Sequence, residues 1–120
     1  MIKKHNDILA YQRSKSLYPK TVKLAKSFSA LGFHLRDQLC RAANSIHANI
    51  AEGFGRSAKE FKMYLTRALG SCNETISHLE DAINAEFVNN KNEAKELIEE
   101  YTVVGKQIYR LRQSWTQTES

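Results

Sequence analysis

Apolar residues along this chain recur at steps of three and four, the spacing of one helix face, and no stretch alternates as a strand would. Glycine occurs only at 32, 53, 55, 70 and 105 and proline only at 19, so few breakers interrupt the pattern. Four helices follow, over about 7–27, 33–52, 57–88 and 92–115. In the first, Tyr11, Leu17, Tyr18, Val22, Leu24 and Ala25 share one half of the wheel, and Arg13, Lys15, Lys20, Lys23 and Lys26 the other. Asn6 is placed to cap it. Pro19 lies inside the pattern and predicts either a kink or a break near Leu17 and Tyr18.

In the second helix Leu39, Ala43, Ile46 and Ile50 fall at steps of four, three and four. Gly53 is expected to end it as a left-handed C-cap. Ser57 and Glu60 have capping-box spacing and start the third helix. Its stripe is Phe61, Leu65, Leu69, Cys72, Ile76, Leu79 and Ile83, and its end is expected near Phe87 and Val88. The small residues Ala68, Gly70 and Ser71 would let another backbone approach. Asn89, Asn90 and Lys91 form a turn, with Asn92 as the cap of the fourth helix. There Leu97, Tyr101, Val104, Ile108, Leu111 and Trp115 make the stripe. Glutamates come early in this helix and Lys106, Arg110 and Arg112 late, which complements the helix dipole. The polar tail after Trp115 is expected to fray.

Short links between four amphipathic helices predict an all-α chain: a single domain over residues 1–120, folded as an up-down-up-down antiparallel four-helix bundle. Heptad-like steps favour crossing angles of about 20°.

A second stripe runs beside the apolar one on the second helix. Gln38, Ser45, Asn49 and Glu52 share a neighbouring face and are placed to meet Arg67, Ser71 or Glu74 of the third. Buried polar groups need partners, so such a network would fix register and oligomer state. The whole segment from Asp37 to Arg56 reads DQL-x-RAA-x-SI-x-x-NIAEG-x-x-R. It resembles the four-helix-bundle family of 23S rRNA intervening-sequence proteins, and is similar to the accessory variability proteins of diversity-generating retroelements. The likeness continues through Tyr11-Gln12, Ala68-Leu69-Gly70-Ser71 and Glu74, and so covers most of the chain. Cys40 stands where the pattern has a second arginine beside Arg41. The resemblance implies a ring-shaped homopentamer associated with structured RNA or an RNA–DNA intermediate. It also implies, as the alternative, a scaffold for a protein partner such as a reverse transcriptase.

Charge sharpens the first of these expectations. The chain carries a formal +5, but residues 1–72 hold 13 Lys/Arg against 4 Asp/Glu, and residues 73–120 hold 5 against 9. Such asymmetry suits a polyanion on one side, although solvated helix surfaces also carry lysines. The candidate phosphate contacts are Arg13, Lys20, Lys23 and Lys26 on the first helix, with Arg36, Arg41, Arg56, Lys59, Lys62 and Arg67 on or around the second and third. Phosphate contact needs cations on flexible stems and no fixed motif. No zinc finger, RNA-recognition sheet or KH loop is present, so recognition is expected to be of shape and charge.

Other chemistry finds less support. No Glu is followed by His three residues later, which a di-iron bundle needs twice; Glu74 and His78 supply two ligands at most. No metal and no cofactor are expected. Arg41 and His47 loosely match the arginine–histidine spacing of some helical ribonucleases, in which histidine would act as base and arginine would hold phosphate. Chance spacing in a basic helix explains the pair as well, and the chain reads as non-enzymatic. The Gly53-Phe54-Gly55-Arg56 turn lacks the ending of a phosphate loop. The start of the third helix, with Arg56 and Lys59, is a secondary anion site. No apolar run reaches the length of about 18 residues that a membrane helix needs. No hydrophobic core follows the first residues, and Cys40 and Cys72 read as reduced thiols. A cytoplasmic protein is expected.

Overall fold

The computed structural model describes residues 2–115. Among them are four α-helices, α1 (Leu9–Lys26), α2 (Phe33–Gly53), α3 (Ala58–Asn84) and α4 (Lys91–Ser114), and no strand. Each helix packs on its neighbour in sequence, and α4 closes back on α1. This is the antiparallel four-helix bundle that the apolar stripes predict. The expected fraying after Trp115 lies outside the described residues.

The helix ends differ from expectation in four places, each for a local reason. Asn6 does not cap α1. Residues His5–Asp7 form a separate 3-10 turn, because the Asp7 carboxylate accepts from the backbone N–H groups of Lys3 at 2.9 Å and Lys4 at 3.2 Å. These bonds hold the Asp7 carboxyl below its ordinary range. The helix proper starts after Ile8, whose side chain is buried. It then passes through Pro19 without a break.

Gly53 is not left-handed. It is the last residue of α2, and the positive φ falls on Gly55 at +92°. Gly53 serves close approach instead: a Cβ there would lie 2.4 Å from Cβ of Tyr64. Ser57 and Glu60 do form the expected capping box. Helix α3 stops at Asn84, short of Phe87. The N–H of Phe87 donates to the carbonyl of Ala82 at 2.9 Å and that of Glu86 to Ile83 at 3.1 Å, with Glu86 at a φ of +62°. This pair of bonds is a Schellman cap with a glutamate in the left-handed position. Phe87 and Val88 are apolar because they seal the end of the bundle: Phe87 lies 6.5 Å from Phe28, and Val88 is buried. Asn90, not Asn92, caps α4, accepting from the N–H of Glu93 at 3.0 Å.

The core sits one step off the expected stripe in α3. Phe61, Leu65, Ala68, Cys72, Thr75, Leu79 and Ala82 are buried, while Leu69, Ile76 and Ile83 are half-buried beside them. In α1, Tyr18 and Val22 are likewise half-buried, and Ser14 and Thr21 take core positions. Both hydroxyls donate to carbonyls one turn earlier, at Ala10 and Leu17. Thr21 Oγ1 also meets the Tyr101 hydroxyl at 2.6 Å across the bundle. Burial pushes the Tyr101 phenol up to about 12, so it stays neutral and hydrogen-bonded. Gly70 faces open space within the chain, and only Ala68 of the expected small-residue cluster is buried.

Two substitutions test these ends. Gly53→Ala forces Cβ against the root of the Tyr64 side chain, which cannot swing away, and is expected to lower stability by about 1–3 kcal/mol. Glu86→Gly relieves a left-handed non-glycine residue and is expected to raise it by about 1 kcal/mol. Urea unfolding of both variants reads the two opposite signs.

Candidate nucleic-acid interface

The ten cations singled out in the sequence do not form one surface. On α1, Arg13 pairs with Glu100 of α4 at 3.0 Å. Lys20 and Lys23 share a groove with Glu93, Glu96 and Glu100. The early glutamates of α4 therefore face the basic half of α1 and offset it. Lys26 and Arg36 line a shallow site with Asp37 and Cys40, where Arg36 lies 5.2 Å from the Phe33 ring. Arg41 pairs with Asp37 at 3.2 Å and is exposed. Burial and the Asp37 charge push the Cys40 thiol up, so it is no ready thiolate.

Arg56, Lys59, Lys62 and Arg67 gather where α2 turns into α3. Arg56 pairs with Glu52 at 2.8 Å and donates from Nε to the Glu52 carbonyl at 3.0 Å. The guanidiniums of Arg56 and Arg67 lie 5.0 and 4.9 Å from the ring of Tyr64. Two cations on one ring is a cation–π arrangement that fixes all three side chains. The backbone N–H of Ser57 donates to Glu60, and that carboxylate occupies the start of α3 that was a secondary anion site.

Folding redistributes the charge. The bundle half built from residues 2–17, 44–70 and 103–115 holds eleven Lys/Arg against three Asp/Glu. The other half, from residues 18–43 and 71–102, holds seven against nine. Lys106, Arg110 and Arg112 of α4 thus join Lys59, Lys62 and Arg67 at one end. Arg112 Nη1 donates to Thr66 Oγ1 at 3.0 Å and ties the two helices together. Sequence reasoning left these α4 cations out of the site. The signal that finds them is the antiparallel wiring, which brings the end of α4 level with the start of α3.

The polar stripe resolves into a smaller cluster. Ser71 Oγ donates to Ser45 Oγ at 2.9 Å, and Asn49 Nδ2 donates to the Ser45 hydroxyl and carbonyl at 2.8 Å each. Gln38, Glu52 and Glu74 lie outside it: Gln38 is exposed, Glu52 holds Arg56, and Glu74 lies 3.4 Å from His78 Nε2. That approach is off the line of a hydrogen bond, since both ring nitrogens of His78 are buried without one.

Arg41 and His47 are not brought together. Six residues turn a helix by about 600°, which sets them on different faces. His47 sits against the rings of Tyr11 at 6.2 Å and Tyr18 at 5.6 Å, with Nδ1 buried and unpartnered. Among the described residues no three His, Cys, Asp or Glu side chains are grouped as metal ligands. Among the described residues no helix is long and apolar enough to cross a membrane.

Fold and charge together define a four-helix bundle with one strongly basic end. The family model described as 23S rRNA-intervening sequence protein matches residues 6–110, and the chain belongs to that family. Its fold is shared by a protein of unknown function from the S23 ribosomal protein family of Bacteroides thetaiotaomicron VPI-5482, whose crystal structure was solved at 1.70 Å. That match has a TM-score of 0.78 and 24% identity, covering 88% of this chain and 100% of the other. No curated protein matches the chain.

Desolvation, with Lys15 nearby, lowers the His47 pKa below its ordinary value. Tyr11 and Tyr18 are the other titratable groups against it. The unfolded chain therefore takes up this proton first. The resulting stability is complete above pH of about 6.5 and is lost as pH falls through that value to the lower folded one. Melting temperatures between pH 7.5 and 5 are expected to fall on the acid side, and less so in His47→Gln.

Proposed function

We propose that this protein is a non-enzymatic, cytoplasmic homo-oligomer, assembled as a pentamer, that binds structured RNA or an RNA–DNA intermediate through its basic faces. The observation that carries this reading is the basic end, with eleven cations against three carboxylates. Lysines and arginines that meet phosphates release condensed counterions, which gives affinity without sequence readout. Rotational symmetry would repeat the end in every protomer, so a modest patch becomes a multivalent field. Arg56, Lys59, Lys62 and Arg67 are the principal contacts, joined by Lys106, Arg110 and Arg112. Arg13, Lys20 and Lys23 contribute less, because α4 carboxylates stand beside them.

Purified protein titrated with labelled structured RNA across a salt series tests this reading. Log affinity is expected to fall linearly with log salt, and K59E/K62E/R67E to flatten that slope by about three units. K20E/K23E/K26E is expected to do less. Light scattering should give five times the 13.7 kDa chain mass. A correctly folded protein that binds no RNA even at low salt overturns the reading. It would favour the protein-partner scaffold, which depends on shape complementarity and not on these charges.

A further inference from the structure

Between α3 and α4, from the middle of the bundle into its basic half, runs a groove of about 540 Å³, within the roughly 300–1,000 Å³ typical of small-ligand sites. Leu69 and Ile76, half-buried on the rim of the core, form its floor with Gly105. Tyr109, a residue 49% exposed, forms a wall. Lys106 and Arg110 stand on the rim, and no carboxylate lines the groove. Two neutral polar groups face it from opposite helices. Asn73 offers an amide donor and acceptor. The Thr102 hydroxyl donates to the Ile98 carbonyl at 2.8 Å and keeps its lone pairs as acceptors.

We propose that this groove binds one unpaired nucleotide of the RNA, with its base stacked on Tyr109 and its phosphates on Lys106 and Arg110. The inference rests on the RNA-binding reading above and adds a site to it. An apolar floor, one aromatic wall, neutral hydrogen-bonding groups and a purely cationic rim match a nucleotide part by part. A base needs a π-face and edge partners, and its phosphates need cations. A paired base cannot enter, because its edges and faces are already covered. The tyrosine is positioned in advance: the Arg112 guanidinium lies 5.6 Å from its ring centre, and Arg112 is itself tethered to Thr66. Ordering the ring on binding then costs little.

The experiment compares the full chain and its variants on three fluorescent RNAs: a blunt duplex, the same duplex closed by an oligouridine loop, and oligouridine alone. Tyr109→Ala is expected to weaken the two RNAs with unpaired bases by about tenfold or more and to leave the blunt duplex unchanged. Tyr109→Phe should bind as wild type does. K106E/R110E should weaken the looped RNA more than the duplex. If Tyr109→Ala changes neither class, or both equally, in a protein that binds RNA, the groove site is overturned while the RNA reading stands. If Tyr109→Ala lowers the oligomer mass, the groove is an interface between copies and the proposal is overturned. Wild-type protein that binds none of the three overturns both readings.

Discussion

The contact on which the rest of this bundle depends is the close approach of α2 and α3 at their shared turn. Gly53 lacks the atom that would collide with Tyr64, so the end of one helix lies directly against the first turns of the next. Further along the two helices Ala42, Ala43 and Ala68 are small and buried, and Ser45 bonds Ser71 across the seam. Backbone proximity has a consequence at the surface. Tyr64 packs against Gly53 at the turn, and the guanidiniums of both Arg56 and Arg67 lie over its ring. A steric requirement in the backbone thereby organises the pair of arginines at the α2–α3 turn.

A second constraint is electrostatic and acts through topology. Each helix favours acids at its start and bases at its end, and α4 follows this order from Glu93 to Arg112. In an antiparallel bundle the start of α4 lies level with the end of α1, and its end with the start of α3. The local preference of one helix thus places carboxylates beside Lys20 and Lys23 and brings Arg110 and Arg112 to the same end as Lys59 and Lys62. Opposed dipoles of neighbouring helices largely cancel, so the field at each end is set by side chains. The same antiparallel wiring dissolves the division of charge between the first and last parts of the sequence and replaces it with a division between the two ends of the bundle.

What the sequence made legible follows from range. The helices, the Ser57 cap and the stripe of α4 rest on neighbours three and four residues apart, and periodicity reads such neighbours directly. Ser14 and Thr21 escaped it because a hydroxyl reads as surface, yet each is satisfied by a carbonyl one turn earlier and so is not left unpaired in the core. Phe87 and Val88 continued the apolar run of α3 on paper. They are apolar for a different reason, since they close the bundle end over Phe28 after the chain has left the helix. Gly53 was read as a turn residue, while its task concerns a side chain eleven positions away. The site divides the same way. Arg56, Lys59, Lys62 and Arg67 lie close in sequence and were visible together. Lys106, Arg110 and Arg112 join them only through folding. The groove floor was misread for a related reason: Leu69 and Ile76 fit the core stripe but sit one step around the helix, half open to solvent.

That half-open position ties the proposed nucleotide site to the core. A Cβ on Gly105 would lie 3.6 Å from Cys72 Sγ and 3.7 Å from Leu69, so the groove floor is the outer layer of the packed interior. Cys72 is itself buried, and its Sγ lies 3.1 Å from the carbonyl of Tyr101, whose hydroxyl meets Thr21. A chain of close contacts therefore runs from α1 through the centre of the bundle to the wall between α3 and α4. Interiors packed at this density hold their shape, which gives the groove a fixed floor before any ligand arrives. The two halves of the proposed interface then differ in kind. The basic end attracts any polyanion, at a strength set by salt, through side chains that are mostly solvated. The groove, on the proposed reading, adds a fixed shape suited to an unstacked base, and discrimination among RNAs would then reside there and not in the field of the basic end.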